Sequence, residues 1–492
     1  MTEKLKVNLP LKDRTLLKED LFIDGSWVAS SSGERSAVIN PATGEVIANV
    51  AMATREDVIR AIENSESGFR LWAKKTAVER AKIMRLWYQL IMENVEDLAL
   101  ILTSEQGKPL AEAKGEITYG AGFIEWYGEE GKRIYGETIP TNVASRRLLT
   151  IKQPIGVTAS ITPWNFPMAM IARKAGPALG AGCSMIIKPA TDTPLSANAM
   201  AELASRAGIP NGVLNVVVGE PKMVGEVITS SPIVKALSFT GSTEVGKILM
   251  AACAKTVKKV ALELGGNAPL IVFDDADLDV AVSGVIASKF RNSGQTCVCA
   301  NRILVQENIH DAFIAALKIA VTELKVGNGL DPASKQGPLI NEEAVAKVQS
   351  HISDALSKGA SLISGGKRLA GDGTFFEPTI ITGVTAEMLV CQEETFGPLA
   401  GVIKFQTEQE AIEIANNTPF GLAAYFFTKD NARTWRVGEA LEVGVVGINT
   451  GLISYEGAPF GGVKESGIGR EGSLHGVDEF VEIKYLCIDQ IN

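Results

Sequence analysis

The sequence predicts an α/β protein built on a doubly wound parallel sheet, followed by a second α/β unit and a short β extension. Three observations predict it. From residue 148 onward, short apolar runs alternate with helical stretches. Beyond residue 268 a second alternation of the same kind begins. Residues 479–488 then read as an edge strand suited to pairing with another subunit.

A β-like start over 21–28 precedes three helical patterns, at 55–72, 77–102 and 108–132. In the second, Leu86, Leu90, Val95 and Leu98 recur at helical spacing. The first alternation places strands at 156–161, 185–187, 213–218, 236–239 and 260–262, with helices at 167–179, 195–207, 223–229 and 244–252. Buried strands between helices form a parallel sheet covered on both faces. In such a sheet, ligands bind beyond the carboxyl ends of the strands. The second alternation places strands at 269–273, 302–306, 361–364, 376–381 and 399–405, with helices at 278–291, 309–324, 342–358 and 408–416. No repeat or low-complexity linker separates the units, so they are expected to pack tightly.

Composition narrows the function. The 492 residues carry a net charge of −9, which argues against nucleic acid or an anionic membrane as partner. Only His310, His351 and His475 are present, and none adjoins another candidate ligand or nucleophile. A histidine triad and a metal site are therefore not expected. The cysteines are Cys183, Cys253, Cys297, Cys299, Cys391 and Cys487, without a Cys-x-x-Cys pair, which fits a reducing cytoplasm. The first twenty residues mix Lys, Asp and Glu and lack an apolar leader core. The longest uncharged stretch, 153–172, holds Pro154, Pro163 and Pro167, which argues against a membrane span.

Phosphate-binding motifs are incomplete. Gly180-Ala181-Gly182 begins a Gly-x-Gly-x-x-Gly, but Met185 takes the third glycine's place. Gly241, Gly246 and Lys247 match a P-loop, but Ile248 stands where Ser or Thr must hold magnesium. The segment Phe239-Thr240-Gly241-Ser242-Thr243 still follows a strand and opens a helix. It can hold a diphosphate or serve as a plain cap. Lys188-Pro189-Ala190-Thr191 ends another strand, where a lysine can reach a ribose or a phosphate, or simply be solvated.

The sharpest signal is Arg291-Asn292-Ser293-Gly294-Gln295-Thr296-Cys297. A cysteine after a small, polar turn lies near backbone amides, and those amides with nearby positive charge are expected to favour the thiolate. Glu263-Leu264-Gly265-Gly266 sets a carboxylate at a strand end, and Pro163-Trp164-Asn165-Phe166-Pro167 fixes an amide between two prolines. A nucleophile, a base and an amide donor suffice for acyl chemistry without histidine.

These segments resemble the aldehyde dehydrogenases. The resemblance spans essentially the whole chain and adds Glu394-Thr395-Phe396-Gly397-Pro398 and Pro459-Phe460-Gly461-Gly462. Phe290–Asn301 and Gly447–Ile453 are most similar to the branch that oxidises succinate semialdehyde. The resemblance implies an aldehyde-dehydrogenase-like fold in three parts: a Rossmann-like NAD(P)-binding domain over 1–132 and 151–265, a catalytic domain over 266–465, and an oligomerisation β-extension over 133–150 and 466–492. A homodimer or homotetramer is implied.

It also implies roles. Cys297 attacks the aldehyde, Asn165 and the Cys297 amide hold the oxyanion, and Glu263 activates water against the thioester. Thr162, Pro163, Trp164, Lys188, Gly241, Ser242, Leu264, Glu394 and Phe396 match cofactor contacts. Thr191 stands where many NAD-preferring members carry Glu, so NADP is expected to be preferred and NAD usable. Arg173, Arg291 and Ser454 match residues that bind the far carboxylate, and each arginine could instead make a structural ion pair. Glutarate semialdehyde, one methylene longer, is a competing substrate. Tyr455, next to Ser454, either narrows the pocket or points away from it. Cys299 is either a reversible disulfide partner of Cys297 or a small wall residue. A non-redox cysteine hydrolase, an inactive binding member and a coenzyme A-acylating enzyme are the rival readings.

Overall fold

The structure is a computed structural model describing residues 9–491. The readings that touch residues 1–8 and 492, in the leader search and the outer domain bounds, lie outside the described residues.

Helix α1 (Arg55–Trp72) opens on a capping box in which Thr54 and Asp57 satisfy each other's backbone N–H. The helix expected over 77–102 is two helices, α2 (Ala77–Glu93) and α3 (Val95–Gln106). Asn94 separates them, its amide donating to the Leu90 carbonyl at 2.8 Å. A side chain that competes for the backbone breaks the ladder while the apolar spacing runs on, so periodicity alone merges the two. Helix α4 (Leu110–Glu130) follows.

The first large sheet contains β1 (Val157–Ile161), β2 (Ser184–Lys188), β3 (Leu214–Val216), β4 (Val234–Thr240) and β5 (Lys259–Glu263), parallel in the order β3-β2-β1-β4-β5. Short antiparallel strands extend both edges. Every residue of β1 and β2 is buried, as a sheet covered on both faces requires. Chain order reverses between β1 and β4, so the crevice beyond their carboxyl ends is the expected ligand site.

The second sheet orders as β8-β9-β10-β7-β6-β11-β12. Its strands are β6 (Ala268–Val272), β7 (Ala300–Gln306), β8 (Ser361–Ser364), β9 (Thr379–Thr382), β10 (Leu399–Phe405), β11 (Ala423–Phe427) and β12 (Val445–Ile448). Strand β9 starts later than the expected 376, after Pro378, which has no N–H to give a ladder. Strands β11 and β12 went unanticipated, as did the helix Asn431–Ala440, whose single buried residue, Val437, leaves no apolar stripe to read. The helix expected over 278–291 is α-helical only over Leu278–Val285 and then widens into a π-turn at Ile286–Phe290.

The terminal strand, Val481–Ile488, pairs antiparallel with Arg147–Pro154 of the same chain, which pairs in turn with Thr138–Ile139. Its in-chain partner is thus Arg147–Pro154, and its outer side chains Ile483 and Tyr485 are exposed.

Helix α5 (Ala169–Ala181) is buried along its whole length and crosses α4 closely. A Cβ on Gly180 would lie 2.6 Å from the Tyr127 carbonyl oxygen, and one on Gly120 would lie 2.3 Å from Met168 Sδ. This approach sets Glu112, Glu116 and Tyr119 of α4 opposite Arg173 of α5 around one cavity. Gly180→Leu should therefore cost about 1–3 kcal/mol by overpacking, read as a lowered urea midpoint. Gly438→Ala, with nothing within 4 Å of its added carbon, should cost nothing. Equal midpoints for the two variants would contradict the close crossing.

Candidate active site

The catalytic turn is built against backbone preference. Asn292, Ser293 and Gly294 have φ of 51°, 57° and 75°, three successive left-handed residues. For non-glycine residues this costs about 1–2 kcal/mol each. Side-chain bonds over-determine the turn. The Asn292 N–H donates to Glu112 Oε2 at 2.9 Å, and its Nδ2 donates to the Asn165 carbonyl at 3.0 Å. Ser293 Oγ donates to the Gly337 carbonyl at 2.8 Å, and Gln295 Oε1 accepts from the Ile340 N–H at 2.9 Å. A Cβ on Gly294 would lie 2.2 Å from the Gly397 carbonyl oxygen, so only glycine fits.

The turn delivers Cys297 to the meeting point of two cavities. The first, about 340 Å³, lies beyond the carboxyl ends of β1, β4 and β5. The second, about 310 Å³, lies between α4, α5 and the Arg291 turn. Cys297 and Met170 line both. Of the predicted residues, Pro163, Trp164, Asn165, Gly241, Ser242, Glu263, Leu264, Glu394 and Phe396 line the first cavity. Ser242 caps helix Thr243–Cys253, and the Trp164 and Phe396 rings meet edge-on at 5.4 Å. Arg173, Arg291 and Ser454 line the second.

Three predicted cofactor residues, Thr162, Lys188 and Thr191, are not among the residues lining this cavity. The Thr162 N–H bonds the Lys188 carbonyl at 3.1 Å. Lys188 Nζ donates to the Pro189 carbonyl at 3.1 Å. The hydroxyls of Thr162 and Thr191 are buried without a partner. Orphaned hydroxyls at the carboxyl end of a parallel sheet, a capped helix start at Ser242 and an aromatic pair fit a dinucleotide.

Around the second cavity most charges are already satisfied. Lys108 Nζ meets Glu116 Oε2 at 2.6 Å and donates to the Asn165 carbonyl at 2.8 Å, while Glu116 Oε1 accepts from the Met168 and Ala169 N–H groups. Arg173, 2% exposed, faces Glu471 at 2.5 Å and stacks 4.0 Å over Phe460. Its Nη2 remains without a partner. It is therefore an ion-paired arginine as well as a wall residue. Arg291 makes no hydrogen bond or ion pair among the described residues, and its guanidinium sits 5.6 Å from the Phe166 ring. Tyr119 and Ser454 line the same cavity.

Geometry bears on two points the sequence left open. Tyr455 is 59% exposed and lines neither cavity, so it does not narrow the pocket. Cys299 is buried, lines neither cavity and donates to the Lys289 carbonyl at 3.4 Å, which fits a packing thiol; both cysteines are free. Sequence reading missed Lys108, Glu112, Glu116 and Tyr119. The spacing of Glu112, Glu116 and Tyr119, four and three along one helix with Lys108 just before it, was the available signal.

The aldehyde dehydrogenase family model matches residues 27–486. The chain belongs to the aldehyde dehydrogenase family. It is 58% identical to a glutarate-semialdehyde dehydrogenase of Pseudomonas aeruginosa, over 98% of this chain and 100% of that one. It is also 58% identical to a succinate-semialdehyde dehydrogenase [NADP(+)] of Escherichia coli, again over 98% and 100%. Among solved structures, a succinate-semialdehyde dehydrogenase from Burkholderia pseudomallei is 60% identical, with a TM-score of 0.97 over 98% of this chain and 100% of that one.

In this aldehyde dehydrogenase, burial dominates the electrostatics. It pushes the Cys297 thiol up to about 12, with Glu394 and Glu263 adding to the rise and Arg173 and Arg291 opposing it. The expected bias toward thiolate is thus reversed, because desolvation of the sulfur outweighs the two arginines. Glu263, 5% exposed, is raised well above the ordinary carboxylate range by burial and by Glu471, and its Oε2 has no hydrogen-bond partner. Burial pushes Glu394 up to about 7 although it accepts from the Gly266 N–H at 3.3 Å. Lys188 is lowered to about 8 by burial, against the charges of Asp192 and Glu220. Asn165 Nδ2 donates one hydrogen to the Gln295 carbonyl at 3.0 Å and keeps a second to give.

A raised thiol is mostly protonated at neutral pH. Iodoacetamide labelling of Cys297 in the cofactor-free enzyme should be slow at pH 7 and climb about tenfold per pH unit through pH 10. A plateau below pH 8, followed by peptide mass spectrometry, would contradict the burial account.

Proposed function

We propose that the chain oxidises succinate semialdehyde to succinate, with NADP preferred and NAD also used. The observation that carries this is Arg291, which lines the second cavity with Cys297 and whose guanidinium forms no ion pair among the described residues. A far carboxylate would complete it, as forked donors suit. The Escherichia coli and Burkholderia relatives support succinate semialdehyde. The Pseudomonas relative keeps glutarate semialdehyde as a second substrate, since one methylene is worth only about 1–3 kcal/mol in such a pocket.

The residues take these roles. Cys297 loses its proton to solvent and adds to the aldehyde carbon, forming a thiohemiacetal, while Glu263 stands unprotonated in the same cleft for the later hydrolysis. The second Nδ2 hydrogen of Asn165 and the Cys297 N–H hold the oxyanion. Removing such a donor typically costs about 10²–10³ in rate. Bound NADP supplies the hydride acceptor. Glu263 then deprotonates the water that hydrolyses the thioester. Trp164, Ser242, Leu264, Glu394 and Phe396 hold the nicotinamide half and the diphosphate. Thr191, uncharged, and Lys188 leave room and charge for a 2′-phosphate. We assign the first sheet to the cofactor, the second to the nucleophile, and the three-stranded sheet to homo-oligomer contacts. No helix is long and apolar enough to cross a membrane among the described residues. A cytoplasmic location is proposed with the rest.

A cofactor-free hydrolase reading leaves the Trp164–Phe396 cleft without a use, and retention of Glu263 favours water over coenzyme A as acyl acceptor. Steady-state kinetics test the proposal. Arg291→Ala should raise KM for succinate semialdehyde at least about tenfold, the scale of a buried charged contact, and barely change KM for butanal. Equal changes for both aldehydes would overturn the carboxylate cage.

A further inference from the structure

Helix Glu342–Ser357 runs beside the segment that supplies Glu394 and Phe396 to the first cavity. One side of the helix meets that segment at three points. A Cβ on Gly397 would lie 2.3 Å from Val348 Cγ2. His351 Nδ1 stands 3.1 Å from Thr395 Oγ1, and its Nε2 stands 3.5 Å from Glu393 Oε2. Asp354 Oδ2 accepts from the Leu389 N–H at 2.8 Å. Residues three apart share one face of a helix, so helix and segment are matched along their length. The start of the same helix lends Glu343, Ala344 and Lys347 to the cavity wall.

The segment needs such a match. Phe396 has a φ of 54°, a left-handed conformation that a bulky residue does not adopt unaided. Thr395 is buried between the two predicted cofactor contacts and lines the cavity with them. A carboxylate only accepts, so the ring nitrogen facing Glu393 carries the hydrogen, and Nδ1 accepts from the Thr395 hydroxyl. Both nitrogens of the buried ring are thus spent on one short stretch of chain. Burial lowers the proton affinity of His351, Lys347 and Lys289 lower it further, and Glu393 opposes them. The ring is therefore neutral at neutral pH, as this arrangement requires.

We propose that His351 is a positioning residue for the cofactor: through Thr395 it holds Glu394 and Phe396 in the conformation that receives the nicotinamide half. This rests on the NADP reading given under Proposed function. Without the ring, the strained segment populates other conformations. The apparent affinity for the cofactor then falls by the fraction of molecules no longer ready to bind. No residue of 389–397 lines the second cavity, so the aldehyde's own pocket is left as it was.

The test is NADP binding, read by quenching of tryptophan fluorescence, since Trp164 lines the cleft. Steady-state KM values accompany it. His351→Phe removes both ring nitrogens, and Thr395→Val removes the hydroxyl while leaving the ring in place. Each should raise Kd and KM for NADP about tenfold, the scale of one buried hydrogen bond left unmade. KM for succinate semialdehyde at saturating NADP should stay near the wild-type value. The double variant should bind no more weakly than the worse single one, because both act through one bond. His351→Asn, whose amide oxygen takes the place of Nδ1, should recover most of the affinity. Unchanged NADP constants in both single variants would overturn the proposal. So would equal rises in KM for cofactor and aldehyde, additive losses in the double variant, or a His351→Asn no better than His351→Phe. A wild-type enzyme that NADP does not quench saturably would overturn the cofactor reading itself. Saturable wild-type binding beside unaffected variants removes only the role of His351.

Discussion

The structure depends on a backbone held where it would not go by itself. Three consecutive left-handed residues, Asn292 to Gly294, turn the chain just before Cys297. Asn292 and Gly294 tolerate that region better than most residues and Ser293 does not; the turn persists because surrounding groups from four other parts of the chain fix it. Glu112 comes from α4, Asn165 from the loop after β1, and Gly337 and Ile340 from the segment before helix Glu342–Ser357. Gly397 closes over Gly294. The same contacts that hold the turn also locate the oxyanion donor, since the Asn165 carbonyl is gripped by both Lys108 and Asn292. Nucleophile and donor are thus placed by one network.

That placement sets two cavities back to back with the sulfur between them. On one side, burial raises the proton affinities of Cys297, Glu263 and Glu394 together where the chemistry occurs. On the other side, Lys108 pairs with Glu116 and Arg173 with Glu471, while Arg291 and Glu112 form no ion pair among the described residues. The division is physical. A cleft that raises the thiol's proton affinity suits a nucleophile that reacts only when a carbonyl is present, and a charged pocket suits a substrate tail that must be oriented without reacting.

Much of this was legible in the sequence. The alternation of short apolar runs with helices gave the parallel sheet, because fully buried strands such as Val157–Ile161 admit little else. The motifs around Asn165, Ser242, Glu263, Cys297 and Glu394 sit in one cleft because each follows a strand or closes over strand ends. Elements without a periodic signature escaped: the helix Asn431–Ala440 buries one residue, and the break at Asn94 lies inside an unbroken apolar rhythm. Long-range pairs escaped as well. Nothing in the local sequence of Glu471 announces Arg173 and Lys174, nearly three hundred residues earlier, as its companions. The reversed proton affinity of Cys297 is a consequence of burial, which spacing cannot show.

The central claim is that a covalent acyl group forms on Cys297 and leaves only when Glu263 activates water. Glu263→Gln mixed with succinate semialdehyde and NADP, quenched in acid and digested, tests it by mass spectrometry. The account predicts a burst of NADPH and one succinyl group on the peptide carrying Cys297. NADPH formation with no acyl adduct, or with the adduct on another residue, would contradict it.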